Sequence, residues 1–104
     1  MTGIELIAKE RQEQIEKHGI SVEHDVRFNR AHQLGNAAAV LATEQGQFTA
    51  RKRLGMMPLD WDDAQALKMC KKNHKERLII AGALIAAELD RISAEEEKEK
   101  DLKE

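Results

Sequence analysis

LIIAGALIAAELDR, at residues 78–91, is the stretch of sequence that decides the fold. Its first ten residues, 78–87, are all apolar and rich in Ala and Leu, which favour helix, and they lack the alternation with polar residues that marks a half-buried strand. A helix made of this run is apolar on every side and therefore belongs in the interior of a fold. We expect an all-α protein, a small bundle of about four helices with this long C-terminal helix at its centre.

The same run is larger than the neighbouring helices of so small a domain can easily cover. Its small side chains would let another helix approach closely; they are Ala81, Gly82, Ala83, Ala86 and Ala87. A two-fold pair is the commonest assembly of identical chains. We therefore expect part of the run to contact a second copy in a homodimer, the alternative being complete burial within a monomer.

The helix that contains the run begins after Asn73, which can cap it, and continues at least to Ile92. From Ser93 onward the chain is nearly all Glu and Lys and has little to bury. A single helical domain is expected over residues 1–92, with residues 93–104 as a helical extension or frayed tail.

The first helix is predicted from its two ends. Thr2 and Glu5 have the spacing of a capping box, in which each side chain accepts a hydrogen bond from the backbone of the other residue. Gly19 can end the helix soon after Lys17, because glycine readily takes the left-handed conformation of a C-cap.

Two more helices and two connections fill the middle of the chain. A connector is expected at residues 20–25, then a helix over Phe28–Gln45 that stops at Gly46. The apolar stripe of that helix consists of Leu34, Ala37, Ala38 and Leu41. An exposed, mobile loop is expected at residues 47–59, which are basic and contain Gly and Pro, followed by a short helix from Asp60 to about residue 69.

Composition excludes several classes of protein. The 104 residues include a single cysteine, Cys70, so a disulfide scaffold is excluded and a reducing compartment is favoured. No apolar run approaches the roughly 20 residues that span a bilayer, and the charged N-terminal segment is unlike a signal peptide. A formal charge of −2 and 3% aromatic residues argue against nucleic-acid binding. We expect a cytoplasmic protein that contacts neither membrane nor nucleic acid.

Arg11 lies on the apolar side of the first helix, with Gln14 and His18 close beside it. At about 100° per residue, the stripe that Arg11 shares is set by Ile4, Ile7, Ala8 and Ile15. The opposite, solvent-facing side is expected to hold Glu10, Glu13 and Glu16. A guanidinium turned into a protein needs an anionic partner, and the candidates here are Glu23, Asp25 and Glu88.

The C-terminal helix offers a second polar set, because Arg77, Glu88 and Arg91 share one of its faces. A polar seam between the first and last helices is therefore expected, and it has two interpretations. In one it is a structural ion-pair network. In the other it is a ligand site.

As a ligand site, the seam divides into two groups of residues. Arg11, Lys75 and Arg77 would hold an anion, while Glu23, Asp25 and Glu88 would bind a divalent cation such as Mg²⁺ or provide a general base. Ligand contacts would also come from Gln14, His18, His24 and Arg91. Zinc is disfavoured because no two histidines have ligand spacing on one helix. Cys70 is expected to pack as a small apolar residue, and Trp61 to anchor the loop before it.

Five blocks of sequence together resemble a family of small all-helical phage and prophage proteins. They are AKERQEQI at residues 8–15, HG at 18–19, EHD at 23–25, AAA at 37–39 and the run at 78–91, and the match covers most of residues 4–92. That family is distantly similar to the MazG-like nucleoside-triphosphate pyrophosphohydrolases, which use helix-borne carboxylates to hold magnesium against nucleotide phosphates. The resemblance implies a nucleotide or other phosphate-bearing ligand and Mg²⁺-dependent cleavage.

The chain departs from the MazG-like pattern of Glu-x-x-Glu on one helix and Glu-x-x-Asp on the next. Glu10 and Glu13 are expected on the solvent side, and Arg91 stands three residues after Glu88. Two hypotheses follow: a phage-type accessory protein that binds, and with Mg²⁺ hydrolyses, a nucleotide, or a noncatalytic helical protein that binds a host protein or sequesters a ligand.

Overall fold

The computed structural model describes residues 1–19, 21–43 and 49–103. Over these ranges the chain forms six helices and no strand, so the predicted all-α fold is confirmed, with six helices in place of about four. The helices are α1 (Gly3–His18), α2 (Val22–Phe28), α3 (Gln33–Ala42), α4 (Ala50–Met56), α5 (Asp63–Cys70) and α6 (His74–Lys103). None of the described helices is long and apolar enough to cross a membrane.

The predicted caps of α1 and α6 are confirmed. The Thr2 hydroxyl accepts a hydrogen bond from the Glu5 N–H at 3.2 Å, and the Glu5 carboxylate accepts one from the Thr2 N–H at 2.8 Å. Hydrogen bonding of the Glu5 carboxylate to the backbone of Thr2, and secondarily to the Thr2 side chain, lowers the pKa of Glu5. Gly19 ends α1 in the left-handed conformation, and the Asn73 side chain caps α6, which continues through the charged tail to Lys103.

The expected connector at residues 20–25 is wrong, because most of it belongs to α2. The Ser21 hydroxyl accepts a hydrogen bond from the His24 N–H at 3.2 Å and so caps this short helix. Phe28, expected to open the next helix, is the last residue of α2, and α3 begins at Gln33. Residue 20 itself lies outside the described ranges.

The predicted apolar stripe of the next helix is confirmed, since all four of its residues are buried in α3: Leu34, Ala37, Ala38 and Leu41. This helix ends at Ala42. Gln45 and Gly46, where the end was expected, lie outside the described residues.

The expected exposed loop at residues 47–59 is also wrong over its described part. Thr49 caps α4, and this helix turns Arg53 into the protein, where it is 2% exposed. Asp62, and not Asp60, caps α5 by accepting a hydrogen bond from the backbone of Gln65. Short helices of this kind carry too few apolar positions to produce a clear period in the sequence.

Helix α6 is the centre of the molecule and packs against α3, α1 and α2. The buried apolar cluster is formed by Leu34, Ala37, Ala38, Leu41, Met57, Ala66, Cys70, Ile80, Ala81, Leu84 and Ala87. Gly82 permits the close approach of α1, because a Cβ atom there would lie 2.6 Å from Cδ1 of Ile7. Helices α1, α2 and α3 are thus arranged around α6.

One side of the apolar run in α6 is left open. Ala83, Leu84 and Ala87 are buried by the other helices, whereas Leu78, Ile85 and Leu89 are 43%, 50% and 60% exposed. The chain itself therefore covers only part of the run.

Candidate functional site

Arg11 points into the protein, as the sequence predicted, and is 8% exposed. Its Nη2 atom lies 3.6 Å from Oδ2 of Asp90 on α6. This ionic contact joins α1 to α6, but its acid is not one of the three predicted partners, Glu23, Asp25 and Glu88. Asp90 was missed because it falls on the flank of the α6 pattern, where its side chain is 54% exposed.

Glu88 and Arg91 form a clamp between α6 and the start of α3. One Glu88 oxygen accepts a hydrogen bond from Arg91 Nε at 2.8 Å, and the other accepts one from the Gly35 N–H at 2.9 Å. His32, the N-cap residue of α3, provides no side-chain cap, so Glu88 supplies an acceptor for the free N–H groups of that helix. A Cβ atom at Gly35 would lie 2.7 Å from the Glu88 carboxylate.

Arg91 is the largest fully buried side chain, at 1% exposure, and it also bonds to Glu95 at 2.8 Å. Burial alone would lower its pKa, but the hydrogen bonds and charges of Glu88 and Glu95 outweigh that effect and raise the pKa of Arg91. Both oxygens of Glu88 are engaged by protein donors. This part of the seam is therefore built as a structural ion-pair network.

Two further arginines donate hydrogen bonds to backbone carbonyls at the C-terminal end of α3. Arg77 donates to the carbonyls of Leu41 at 3.2 Å and of Lys72 at 2.7 Å. Arg53 donates to the carbonyls of Val40 and Thr43. Cations at a helix C-terminus satisfy its free carbonyls and complement its dipole. Arg77, predicted to hold an anion, is thus occupied with backbone carbonyls, and Lys75 lies exposed on the surface.

Asp25 is fully buried at the centre of a chain of polar contacts. Its Oδ1 accepts a hydrogen bond from Asn29 Nδ2 at 2.8 Å and lies 3.5 Å from His24 Nδ1. Asn29 Oδ1 in turn accepts one from Trp61 Nε1 at 3.0 Å, which confirms the predicted anchoring role of Trp61. The second carboxylate oxygen, Asp25 Oδ2, is buried with no hydrogen-bond partner. Glu23, two residues earlier, is exposed.

The predicted metal ligands are not brought together. Across the part of the chain that the structure describes, no group of three or more His, Cys, Asp or Glu side chains could hold a metal ion. Glu23, Asp25 and Glu88 therefore do not form a three-carboxylate site. Of the predicted anion-binding residues, Arg11 contacts Asp90, Arg77 donates to backbone carbonyls and Lys75 is exposed, so each has different surroundings.

A groove of about 770 Å³ lies instead between α1 and α2 on one side and α5 on the other, with α6 at its base; we call it the central groove. Its apolar surface comes from Phe28, Leu34, Trp61, Ala66, Met69, Ile80 and Leu84. Its polar surface comes from Glu10, Glu13, Gln14, His18, His24, Asn29, Asp60, Asp62, Gln65 and Lys72. Three predicted ligand contacts, Gln14, His18 and His24, are thus brought to one cavity. A volume of this size holds a small organic molecule.

Gln14 is the most unusual residue of the central groove. It is 4% exposed, and its Nε2 donates weakly to Glu10 at 3.4 Å, while its Oε1 is buried with no hydrogen-bond partner. An unpaired buried acceptor costs free energy, so natural proteins rarely leave one unless water or a ligand completes it. Gln14 lines the groove, and the partner that its Oε1 lacks is a hydrogen-bond donor.

Glu10 and Glu13 correct the sequence interpretation of α1. Both are half-buried and line the central groove, although they were expected on the solvent side. The predicted apolar stripe of α1 included Ile4, but Ile4 is 82% exposed. The buried side of α1 is therefore rotated about the helix axis, away from the predicted stripe and toward Gln14. Glu16, the third acid of the predicted solvent side, is exposed as expected.

The other acids of the groove have local structural partners. Asp62 caps α5, and Asp60 accepts a hydrogen bond from Gln33 at 3.2 Å. Lys72, the one lysine of the lining, lies 3.7 Å from Glu76. The groove therefore presents mainly negative charge to a ligand, from Glu10 and Glu13.

Comparison of the chain with models of protein families, with curated proteins and with solved structures finds no match. The sequence contained one signal for the groove that periodicity did not use: Glu13 and Gln14 stand three and four residues after Glu10, and so lie next to it on one helix surface.

Proposed function

We propose that the central groove binds a nucleotide, or a similar small molecule in which a flat apolar group is joined to phosphates. The observation that carries this proposal is that the groove is lined both by Gln14, whose Oε1 is buried and unpaired, and by an apolar surface that includes Trp61. A ring amino group of a base can donate to that oxygen, while the ring stacks on aromatic or aliphatic side chains. The bound ligand would thus supply the hydrogen bond that Gln14 Oε1 lacks in the free protein.

The phosphate end of such a ligand needs a cation. Glu10 and Glu13 would repel a bare phosphate, but Mg²⁺ in nucleotide sites is commonly held by one or two carboxylates together with the phosphates themselves. The two glutamates of one groove wall fit that role, whereas Glu23 and Glu88 do not reach the groove. Bound there, Mg²⁺ would neutralise the phosphates and polarise them toward attack by water.

Hydrolysis is the further part of this proposal. The resemblance to MazG-like enzymes suggests that water cleaves a triphosphate with release of pyrophosphate. The glutamates at positions 10 and 13 have the Glu-x-x-Glu spacing of that pattern, and both face the groove. A cytoplasmic, homodimeric, phage-type accessory protein remains the setting that we propose for this activity.

Thermal shift with a panel of ribo- and deoxyribonucleoside triphosphates, with and without Mg²⁺, tests the binding. We expect at least one member to raise Tm, and to do so more strongly with Mg²⁺. Glu13→Gln should reduce the part of the shift that depends on Mg²⁺. Glu23→Gln is the matched control, because it removes the same charge from an exposed position outside the groove.

The same samples test hydrolysis through pyrophosphate release. Binding without turnover would leave the groove as a ligand site and refute the enzymatic part. No shift with any triphosphate under either condition would refute the proposal as a whole. Equal loss of binding in Glu13→Gln and Glu23→Gln would refute the assigned role of Glu13.

A further inference from the structure

The open side of α6 forms a defined surface. Leu78, Ile85 and Leu89 are each at least 43% exposed and, with half-buried Gly82 between them, they recur at spacings of four, three and four residues. This spacing keeps them on one face of the helix and is the pattern of a helix that packs along another helix. We call these four residues the α6 stripe. Gly82 is covered by Ile7 of α1, so the open part of the stripe is formed by Leu78, Ile85 and Leu89.

Three large apolar side chains exposed on one helical face are costly in water and mark a contact surface. The residues that frame the stripe carry opposite charges at its two ends. Lys75 stands before the stripe, next to the helix start, and Glu96 stands after it, where acidic residues predominate; both are exposed. At about 100° per residue, each lies within about 50° of the centre of the stripe.

The positions of these charges select one arrangement of two helices. Lys75 precedes Ile85 by ten residues and Glu96 follows it by eleven, which at 1.5 Å per residue places both about 15 Å from Ile85 along the axis. In an antiparallel pair centred on Ile85, each lysine therefore comes level with the glutamate of the other chain. A parallel pair would bring like charges level with each other.

We infer that a second copy of this chain covers the α6 stripe, packed antiparallel about a two-fold axis near Ile85, with Lys75 of each chain opposite Glu96 of the other. This inference deepens the homodimer named in the proposed function, and it does not depend on what the central groove binds. The interface is isologous, as a two-fold axis requires.

Sedimentation equilibrium over a range of concentrations tests the surface. The wild-type chain should sediment at twice its mass of 11.8 kDa, and Ile85→Glu should sediment as a folded monomer with unchanged helical circular dichroism. Leu59→Glu is the matched control, because Leu59 is 98% exposed and lies outside α6; this variant should remain dimeric. A monomeric wild-type chain, or a dimer that persists in Ile85→Glu, refutes the inference that the α6 stripe is the dimer interface.

Charge exchange tests the antiparallel register. Lys75→Glu and Glu96→Lys should each raise the dimer Kd roughly three- to tenfold at low salt, since two contacts are lost per dimer. The double variant should return Kd to within about twofold of the wild type, because the pairs are re-formed with their signs exchanged. Single variants with an unchanged Kd, or a double variant that dimerises more weakly than either single variant, refute the antiparallel pairing of Lys75 with Glu96.

Nucleotide binding by the Ile85→Glu monomer separates this inference from the proposed function. Binding that persists in the monomer shows that the groove and the stripe are independent. Failure of all triphosphates to bind a wild-type dimer refutes the groove proposal and leaves the stripe supported.

Discussion

The two polar regions on either side of α6 differ in how completely their groups are paired. On the α3 side, Arg77 and Arg91 are buried, and the guanidinium groups donate to carbonyls or carboxylates that hold α3 in place. On the α1 and α2 side, Gln14 Oε1 and Asp25 Oδ2 are buried acceptors without a partner. Complete pairing is typical of structural networks, whereas an unpaired acceptor at a cavity wall points to a binding surface.

The largest effect should come from breaking the paired region at Glu88. Glu88→Ala removes the main partner of buried Arg91 and the acceptor for the Gly35 N–H, so we expect the free energy of unfolding to fall by about 3 kcal/mol. Urea denaturation measures it. Glu95→Ala, which leaves the Arg91–Glu88 pair intact, should cost about 1 kcal/mol or less. Equal losses in the two variants would contradict the clamp.

Arg77→Met should have the next largest effect. It keeps much of the side-chain volume but leaves the carbonyls of Leu41 and Lys72 without their charged donor, at a cost of about 2 kcal/mol. Lys68→Met, at an exposed position of α5, should change stability by less than about 0.5 kcal/mol. The comparison of the two regions fails if both methionine variants are equally stable.

Gln14→Leu should stabilise the protein without ligand, in contrast to the destabilising substitutions of Glu88 and Arg77. It removes an unpaired buried acceptor while keeping a similar shape, so we expect unfolding free energy to rise by about 1 kcal/mol. The same change should abolish the thermal shift caused by the nucleotide. Gln12→Leu, on the exposed side of α1, is the control and should leave ligand binding intact. A destabilised Gln14→Leu would show that this acceptor is satisfied in solution.

The smallest expected effect on stability concerns Cys70, whose thiol is influenced by the charges of Arg53 and Arg77. Burial raises the pKa of the Cys70 thiol, and the charges of Arg53 and Arg77 only partly offset it. The unfolded chain therefore loses the thiol proton at lower pH than the folded one. The contribution of the Cys70 thiol to the free energy of unfolding is fully present below the ordinary pKa of a thiol. It is lost as the pH rises through the raised pKa that this thiol has in the folded protein.

Urea denaturation of the wild type and of Cys70→Ala between about pH 7 and 10 measures this difference. We expect the wild type to lose stability relative to the variant as pH rises. A parallel pH dependence in both proteins would show that the thiol ionises equally in the two states.

The sequence predicted those parts of the fold that local chemistry determines. Thr2, Glu5 and Asn73 form their caps with neighbours only three residues away, so a short window contains the whole interaction. The buried stripe of α3 was found because four apolar residues repeat within one helix. The helices α2 and α4 were missed because seven residues contain too little of a helical period.

The site was predicted less completely because its contacts are long-range. Glu88 bonds to Gly35, 53 residues away, and Arg77 bonds to Leu41, 36 residues away. No pattern within a single helix indicates such a partner. Arg11 was correctly turned inward, but the true orientation of α1, which brings Glu13 to the groove, depends on where α6 crosses it at Gly82.

Neighbouring residues of α6 belong to two different surfaces. Leu84 lines the central groove, and Ile85, the next residue, is turned about 100° away around the helix axis and is 50% exposed. The central groove and the α6 stripe therefore use different residues of the same helix, and a substitution can be aimed at one surface without changing the side chains of the other.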